Sequence, residues 1–324
     1  MEVHSTCAIL IVNWNSWELL TKCIRALAKQ TCKEFRVYVA DNASDEAPPE
    51  GIFSVLPNVY YLPNEQNLGF AAANNRLLEI SGGSQWTILL NPDAYPEPDW
   101  LEQLMNATKN HAEYTFFASR LLMDGKQDVL DGDGDVYHLS GLVWRAGHGK
   151  KVGKGGNSPR EVFSPCAAAA MYRTDVINEA GGFDEDFFCY LEDVDLGFRL
   201  RLAGHRCLLV PLAIVNHVGS ATSGGQQSDF AVYHGHRNLV WTYVKNMPAA
   251  LLWMCLPLHL LVNLVTLLWY SVRGRTGLIS KSKLEAIKGI PLAWRKRKLV
   301  QSERVITIAQ VLYVMDKRFI PFTG

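Results

Sequence analysis

Strand-like and helix-like segments alternate through the first third of the chain, and this constrains the fold more than any other feature. Cys7-Ala8-Ile9-Leu10-Ile11-Val12 is a continuous apolar run of the kind that fills a buried parallel strand. Leu19, Leu20, Cys23, Ile24 and Leu27 then recur at helical spacing. Phe35–Ala40 reads as a second strand, ending at Asp41-Asn42-Ala43-Ser44-Asp45, and Val59–Leu62 as a third. Asn67-Leu68-Gly69-Phe70 opens a second helix that runs through Leu78, and Trp86–Leu90 is a fourth strand stopped by Asn91-Pro92-Asp93. This order predicts an α/β fold with a mostly parallel sheet, in which ligands sit beyond the carboxyl ends of the strands. Asp41, Asn67 and Asp93 each follow a predicted strand, so three polar side chains converge on one site.

From 115 to 217 the pattern continues as strands and a helix from about Leu191 to Ala203. Gly147–Gly156 holds five glycines and three lysines and reads as a mobile loop. The acidic run Asp131–Asp135 lacks the other ligands of a calcium loop and reads as a solvated turn.

Charge narrows the partners. The 32 Lys and Arg balance the 32 Asp and Glu, which argues against bulk nucleic-acid binding. The balance is uneven, with residues 273–324 at net +9 and the rest at net −9. Seven cysteines, odd in number and without a CxxC pair, point to reduced thiols in a cytosolic compartment. Met1–Thr6 contains Glu2 and no basic residue, and the apolar run after it is too short for a secretory leader.

Asn246–Val272 contains no charged residue over 27 positions. As one helix it would span roughly 40 Å, more than the ~30 Å hydrocarbon core. Pro257 is expected to split it into two short halves, with His259 and Asn263 near the centre. The flanks are both expected on the cytosolic side, so a re-entrant or interfacial apolar hairpin followed by a basic helical tail is predicted, seated on anionic lipid. The competing reading is a buried pair of core helices.

Three segments carry residues suited to catalysis. Asn91-Pro92-Asp93 puts a carboxylate on a tight turn at a strand end, where it could hold a hard divalent ion. In Tyr190-Leu191-Glu192-Asp193-Val194-Asp195-Leu196-Gly197-Phe198-Arg199, helical geometry places Glu192, Asp195 and Arg199 on one face. Asp195 and Arg199 form an i,i+4 pair of structural type. Asp193 instead falls on the apolar face of Leu196, Gly197 and Leu200, where a carboxylate is costly unless paired or functional. His217 ends an apolar run and is either a satisfied surface histidine or a metal ligand.

Val12-Asn13-Trp14-Asn15, Ala40–Asp45, Asn67–Asn74, Leu90–Asp93 and Glu192–Asp195 occur in the order and spacing of family 2 glycosyltransferases, and the chain most resembles their rhamnosyltransferase branch. The resemblance covers roughly residues 7–245 and extends loosely through Arg237-Asn238 and the tail. It implies a GT-A fold, a Rossmann-like sheet flanked by helices. It also implies a nucleotide-binding half over about 1–110, an acceptor half over about 111–245, and a membrane-associated region over 246–324. By the same resemblance Asn13, Asp41, Asn67, Gly69 and Asp93 bind the nucleotide, and Asp41 matches the pyrimidine-binding aspartate. Asp93 matches the last acid of the DxD metal motif, with Asn91 in place of the first. Asp193 matches the catalytic base, supported by Glu192, and His217 resembles the histidine that completes a Mg²⁺ or Mn²⁺ site in some relatives.

The expected activity is inverting, metal-dependent transfer of a sugar from a pyrimidine-nucleotide donor to a glycan or lipid-linked acceptor in cell-surface polysaccharide synthesis. dTDP-rhamnose is the favoured donor and a UDP-sugar the alternative. The expected place is the cytoplasmic face of the inner membrane, peripheral or re-entrant. Two other classes compete: a non-catalytic nucleotide-sugar-binding scaffold, which would need neither Asp93 nor Asp193, and a nicotinamide-dependent oxidoreductase, which would need a GxGxxG after the first strand. Oligomeric state is not legible.

Overall fold

The computed structural model describes residues 6–126, 128–153, 156–219, 225 and 227–318. The leader reading at residues 1–5, and Lys154 and Gly155 of the expected mobile loop, lie outside the described residues.

The apolar runs become strands where predicted. β1 (Cys7–Asn13), β2 (Phe35–Asp41), β3 (Val59–Pro63) and β4 (Trp86–Leu90) lie side by side in the order β3-β2-β1-β4, all parallel. They are joined by α1 (Trp17–Ala28) and α2 (Gly69–Ile80). The short β5 (Ala94–Pro96) follows, and α3 (Trp100–Asn110) leads to β6 (Phe116–Met123). Then come β7 (Leu130–Gly132), β8 (Asp135–Tyr137), β9 (Val143–Arg145), β10 (Arg160–Val162) and β11 (Ala169–Arg173). The sheet extends past β4 through antiparallel β11 to β6, then β12 (Cys207–His217) parallel to β6, then β10. It is a mixed sheet with mostly parallel strands. The register of β12 shifts between Val210 and Ile214, where Pro211 has no N–H to give the ladder.

Each face of the sheet buries its own core. On one side Leu20, Ile24 and Leu27 of α1 and Trp100 and Leu104 of α3 pack on Ile9, Ile11 and Val37. On the other, Ala71 and Leu77 of α2, Ile177 of α4 (Thr174–Glu179) and Leu196 and Leu200 of α5 (Glu192–Leu202) pack on Leu10, Leu89 and Ala170. All seven cysteines are free thiols, as the spacing predicted.

The C-terminal region departs from expectation. After α6 (Asp229–Asn246), α7 runs unbroken from Ala249 to Val272 with Pro257 inside it, and α8 spans Thr276–Ser302 with Pro291 inside it. A proline removes one intrahelical donor, but a long apolar stretch with a packed face retains the remaining bonds. The hairpin is therefore formed by α7 and α8 turning at Gly274 (φ +74°), and not by two halves of the apolar run. By length and composition α7 could cross a membrane. Its inner face is nevertheless attached to the body along its length. Leu251, Leu252 and Cys255 join Tyr137, Phe163, Val194 and Phe198 in a third core that also takes Val311 of α9 (Ile308–Val314). The His259 ring stacks on Tyr243 at 3.9 Å, and Tyr270 packs against Val232. Its outer face leaves Trp253, Met254, Leu260, Leu261, Leu264, Val265, Leu268 and Trp269 more than half exposed.

Two basic residues expected to face lipid do otherwise. Arg297 is buried and donates to the Val244 and Met247 carbonyls, and Lys296 pairs with Asp184 and Asp186. Arg295 and Lys298 remain exposed.

Candidate active site

The strand ends open onto one cleft of about 800 Å³. It is lined by Trp14, Asn42, Asn67 and Gly69, by Asn91, Asp93 and His217, and by Glu192 and Asp193. These residues come from six separate segments of the sequence.

Asn13 and Asp41 sit just beneath this surface, and the cleft lining does not include them. They face each other in register at the ends of β1 and β2. Asn13 Nδ2 donates to Asp41 Oδ1 at 3.0 Å, and the same oxygen accepts the Ser44 hydroxyl at 2.5 Å. Asn42 donates to the Gly69 carbonyl at 3.0 Å and accepts from Asn64. Asn67 Oδ1 accepts the Gly69 N–H at 2.9 Å, closing the turn into α2. Gly69 is required by its φ of +79° and by crowding, since a Cβ there would lie 2.6 Å from the Phe188 carbonyl oxygen.

Asp93 and His217 lie at the ends of two antiparallel neighbours, with His217 paired to Ala94. Both are buried. His217 Nδ1 is 2.7 Å from Asp131 Oδ2, while Nε2 lies 3.4 Å from Asp93 Oδ1 and has no hydrogen-bond partner of acceptable geometry. Burial would lower the His217 pKa, but Asp131 and Asp93 hold it above its ordinary value. A buried imidazole nitrogen and a carboxylate oxygen aimed at the same space suit a divalent cation. Among the described residues no group of three or more His, Cys, Asp or Glu side chains converges on such a point. The chain would therefore supply two ligands, leaving positions for diphosphate oxygens and water.

The acidic run expected to be a solvated turn is instead buried: Asp131, Asp133 and Asp135 are each 5% exposed or less. Asp131 and Asp133 are held by partners from other segments. Asp131 takes His217 and pairs with Arg145. Asp133 accepts Arg120 through both oxygens at 2.9 Å, and Arg160 as well. Asp135 lines the cleft near Asp193, and burial together with that charge raises its pKa well above the ordinary range. Alternating Gly in this run was the one sequence hint of tight packing. Gly134 adopts a φ of +82° against Val162.

Asp193 stands at the first turn of α5, half-buried. Oδ2 accepts the Ala167 N–H at 2.9 Å and Oδ1 the Val194 N–H at 2.8 Å. Burial raises its pKa, against the lowering effect of those donors and of Arg145. Glu192 beside it is buried, with Oε2 unpartnered, and burial and the Asp193 charge push its carboxyl far above the usual range. Asp195, as the spacing predicted, pairs with Arg199 at 2.9 Å. It also accepts Lys245 and Asn246, each at 2.8 Å, and is completely buried.

A glycosyl transferase family 2 model matches residues 8–180, more than half of the chain, and the chain belongs to that family. It is 29% identical over 258 residues to N-acetylglucosaminyl-diphospho-decaprenol L-rhamnosyltransferase of Mycobacterium tuberculosis, covering 70% of this chain and 80% of that one. It is also 25% identical over 214 residues to the O-antigen biosynthesis protein RfbC of Myxococcus xanthus, covering 63% of this chain and 16% of that protein. Among solved structures it resembles GalNAc-T7 with UDP, GalNAc and Mn²⁺ (TM-score 0.59, 15% identity), over 76% of this chain and about half (48%) of that one. It likewise resembles S. aureus TarS 1-349 in complex with UDP (TM-score 0.54, 15% identity), over 90% and 91% of the two chains. These likenesses establish the GT-A fold.

Proposed function

We propose that the protein is an inverting, metal-dependent rhamnosyltransferase that moves L-rhamnose from dTDP-rhamnose to a lipid-linked acceptor in cell-surface polysaccharide synthesis. The observation that carries this reading is one cleft lined by Asp93, by His217 and by Asp193, a base candidate held by two backbone N–H groups. The rhamnosyl donor and the lipid-linked acceptor are taken from the resemblance and from the mycobacterial relative's name.

In this reading the nucleotide lies against Asn42, Asn67 and Gly69. Asp41, held by Asn13 and Ser44, stands behind them to accept a pyrimidine imide N–H. Asp93 and His217 would hold a Mg²⁺ or Mn²⁺ ion, with Asn91 shaping the turn. When bound, the ion offsets the negative charge that builds on the departing nucleotide diphosphate. Asp193 accepts the proton of the acceptor hydroxyl while that oxygen bonds to the anomeric carbon and the bond to the diphosphate breaks. Direct displacement by the acceptor oxygen, with Asp193 as its base, gives inversion at the anomeric carbon. A pKa raised by burial brings the carboxylate nearer to working pH, which suits a base.

The division at residues 245/246 is functional in this reading: 1–245 carries the chemistry and 246–324 seats it. We place α7 in the plane of the cytoplasmic leaflet, inner face on the body and outer face in lipid, rather than across the bilayer. The seating of Leu251, Leu252, Cys255, His259 and Tyr270 against the body supports this, because it leaves only the opposite face for lipid. Tyr270 also lines the cleft, so an acceptor held in the bilayer would reach the base from that side.

The test is transfer to N-acetylglucosaminyl-diphospho-decaprenol from dTDP-rhamnose and from UDP-sugars, with Mn²⁺, with Mg²⁺ and with excess EDTA, read by mass spectrometry. Metal-dependent addition of a deoxyhexose supports the reading. Transfer from UDP-sugars alone would replace the donor, and full activity in EDTA would remove the metal.

A further inference from the structure

The segment that leads into Asp193 is strained. Phe188, Tyr190 and Leu191 have φ of +63°, +69° and +67°, three left-handed non-glycine residues within four positions. Such a conformation persists only where its surroundings hold it. The holding group is Asn238 of α6, a completely buried side chain. Its Nδ2 lies within hydrogen-bond distance of three carbonyl acceptors along this segment: Phe187 (3.0 Å), Cys189 (2.9 Å) and Tyr190 (2.8 Å). Asn238 Oδ1 in turn accepts Arg237 Nε at 2.9 Å, and the Arg237 guanidinium donates to the Asp186 and Phe187 carbonyls. On the opposite side the Phe188 carbonyl accepts the Phe70 and Ala71 N–H groups at the start of α2. The loop is thus wedged between the helix that borders the nucleotide end and the helix that borders the lipid-facing hairpin.

We propose that Asn238 is a positioning residue for transfer: it fixes the backbone from 187 to 191, and with it the origin of α5 and the direction of the Asp193 carboxylate. The proposal rests on Asp193 being the base. Asn238 touches neither the reacting atoms nor the metal ligands, and acts through the three carbonyls alone. An amide suits the position because its NH₂ faces carbonyls while its oxygen takes a guanidinium N–H. A carboxylate of the same shape would face the same carbonyls with no donor.

The test compares Asn238→Ala and Asn238→Asp with wild type in the full chain. Hydrogen exchange reads the clamp without reference to activity: amides from 187 to 195 should exchange at least tenfold faster in both variants, with the β1 to β4 core unchanged. Turnover should fall about thirtyfold or more, while nucleotide affinity stays within threefold. The acid limb of the kcat–pH profile should move down, because a loosened loop hydrates Asp193. That limb is read against the groups facing Asp193, namely Glu192 on its own helix, Asp135 of β8, Arg145 of β9 and Cys166. Leu191→Gly combined with Asn238→Ala should recover part of the lost turnover, since glycine adopts positive φ without a clamp. Unchanged exchange at 187–195 overturns the clamp. Faster exchange with wild-type kcat and an unmoved acid limb overturns the positioning role. If Asp193→Asn itself retains turnover, the base assignment fails, a result separate from either. If Asn238→Ala does not fold, Asn238→Asp and Asn238→Ser carry the same measurements.

Discussion

His217 Nδ1 and Asp131 Oδ2 are hydrogen-bonded at 2.7 Å across 86 positions of sequence, and this contact turns Nε2 toward Asp93. A carboxylate behind an imidazole fixes its tautomer and orientation for a metal on the other nitrogen. Asp131→Asn should therefore lower Mn²⁺ affinity by about 10- to 100-fold, and Asp93→Ala should abolish metal-dependent nucleotide diphosphate binding. Titration calorimetry with Mn²⁺ and nucleotide checks both. Equal affinity in Asp131→Asn and wild type would show that Asp131 does not orient the ring.

Asp193→Asn should reduce transfer by about 10²- to 10⁴-fold, the range expected for a lost general base, while nucleotide binding stays intact. Turnover within a few-fold of wild type rejects the assignment.

Asp195→Asn is a stability variant. An exposed i,i+4 pair is worth only ~0.5 kcal/mol, which is all that the spacing Asp195–Arg199 suggests. The structure adds Lys245, whose side chain is 3% exposed, so the change weakens the pairing of a buried cation. The expected loss is about 3 kcal/mol in urea denaturation. A loss below 1 kcal/mol would mean that Asp184 alone satisfies Lys245.

Asp184 sets an acid limit on the fold. Burial would raise its pKa, but Lys245 and Lys296 hold it down to about 2 from the ordinary 3.8. A depressed folded-state pKa gives stability that is present above the unfolded value and lost as pH falls toward the folded one. The shift corresponds to about 2 kcal/mol, lost between roughly pH 4 and pH 2. Asp184→Asn should flatten that part of the stability–pH curve. An unchanged slope there places the acid sensitivity in other carboxylates.

Leu261→Glu with Leu264→Glu should lower sedimentation with anionic vesicles at least tenfold and leave the melting temperature unchanged, because both side chains are exposed. Reversal of Arg295 and Lys298 should weaken binding only at low salt. Cysteines introduced at the exposed positions Lys109 and Glu303, with native thiols blocked, should both react only after cells are permeabilised. Labelling of position 303 alone in intact cells would establish a crossing.

The strands and helices from β1 to β4 were legible because each is a local pattern: an apolar run fills a buried parallel strand, and a 3.6-residue period makes one helical face. The places of Asp93 after β4 and Asp193 in the first turn of α5, and the Asp195–Arg199 pair, were legible for the same reason, as turn chemistry and helical angle are read within ten residues. The antiparallel insertion of β11 between β4 and β6 was not, since strand pairing is a choice among many partners separated by long loops. Nor was the fate of Asp131–Asp135. By sequence it is a polar Gly-rich turn, and only the arrival of Arg120, Arg145, Arg160 and His217 from elsewhere allows those carboxylates to be buried. Pro257 misled for a related reason: its local cost is real, but packing of Leu251, Leu252, Cys255 and His259 against the body outweighs one missing hydrogen bond. Local sequence determined the elements and which polar side chains stand at the strand ends and at the start of α5. Which carboxylates became buried, oriented or paired was decided by contacts between distant segments, because desolvation and pairing exist only once the chain has closed around them.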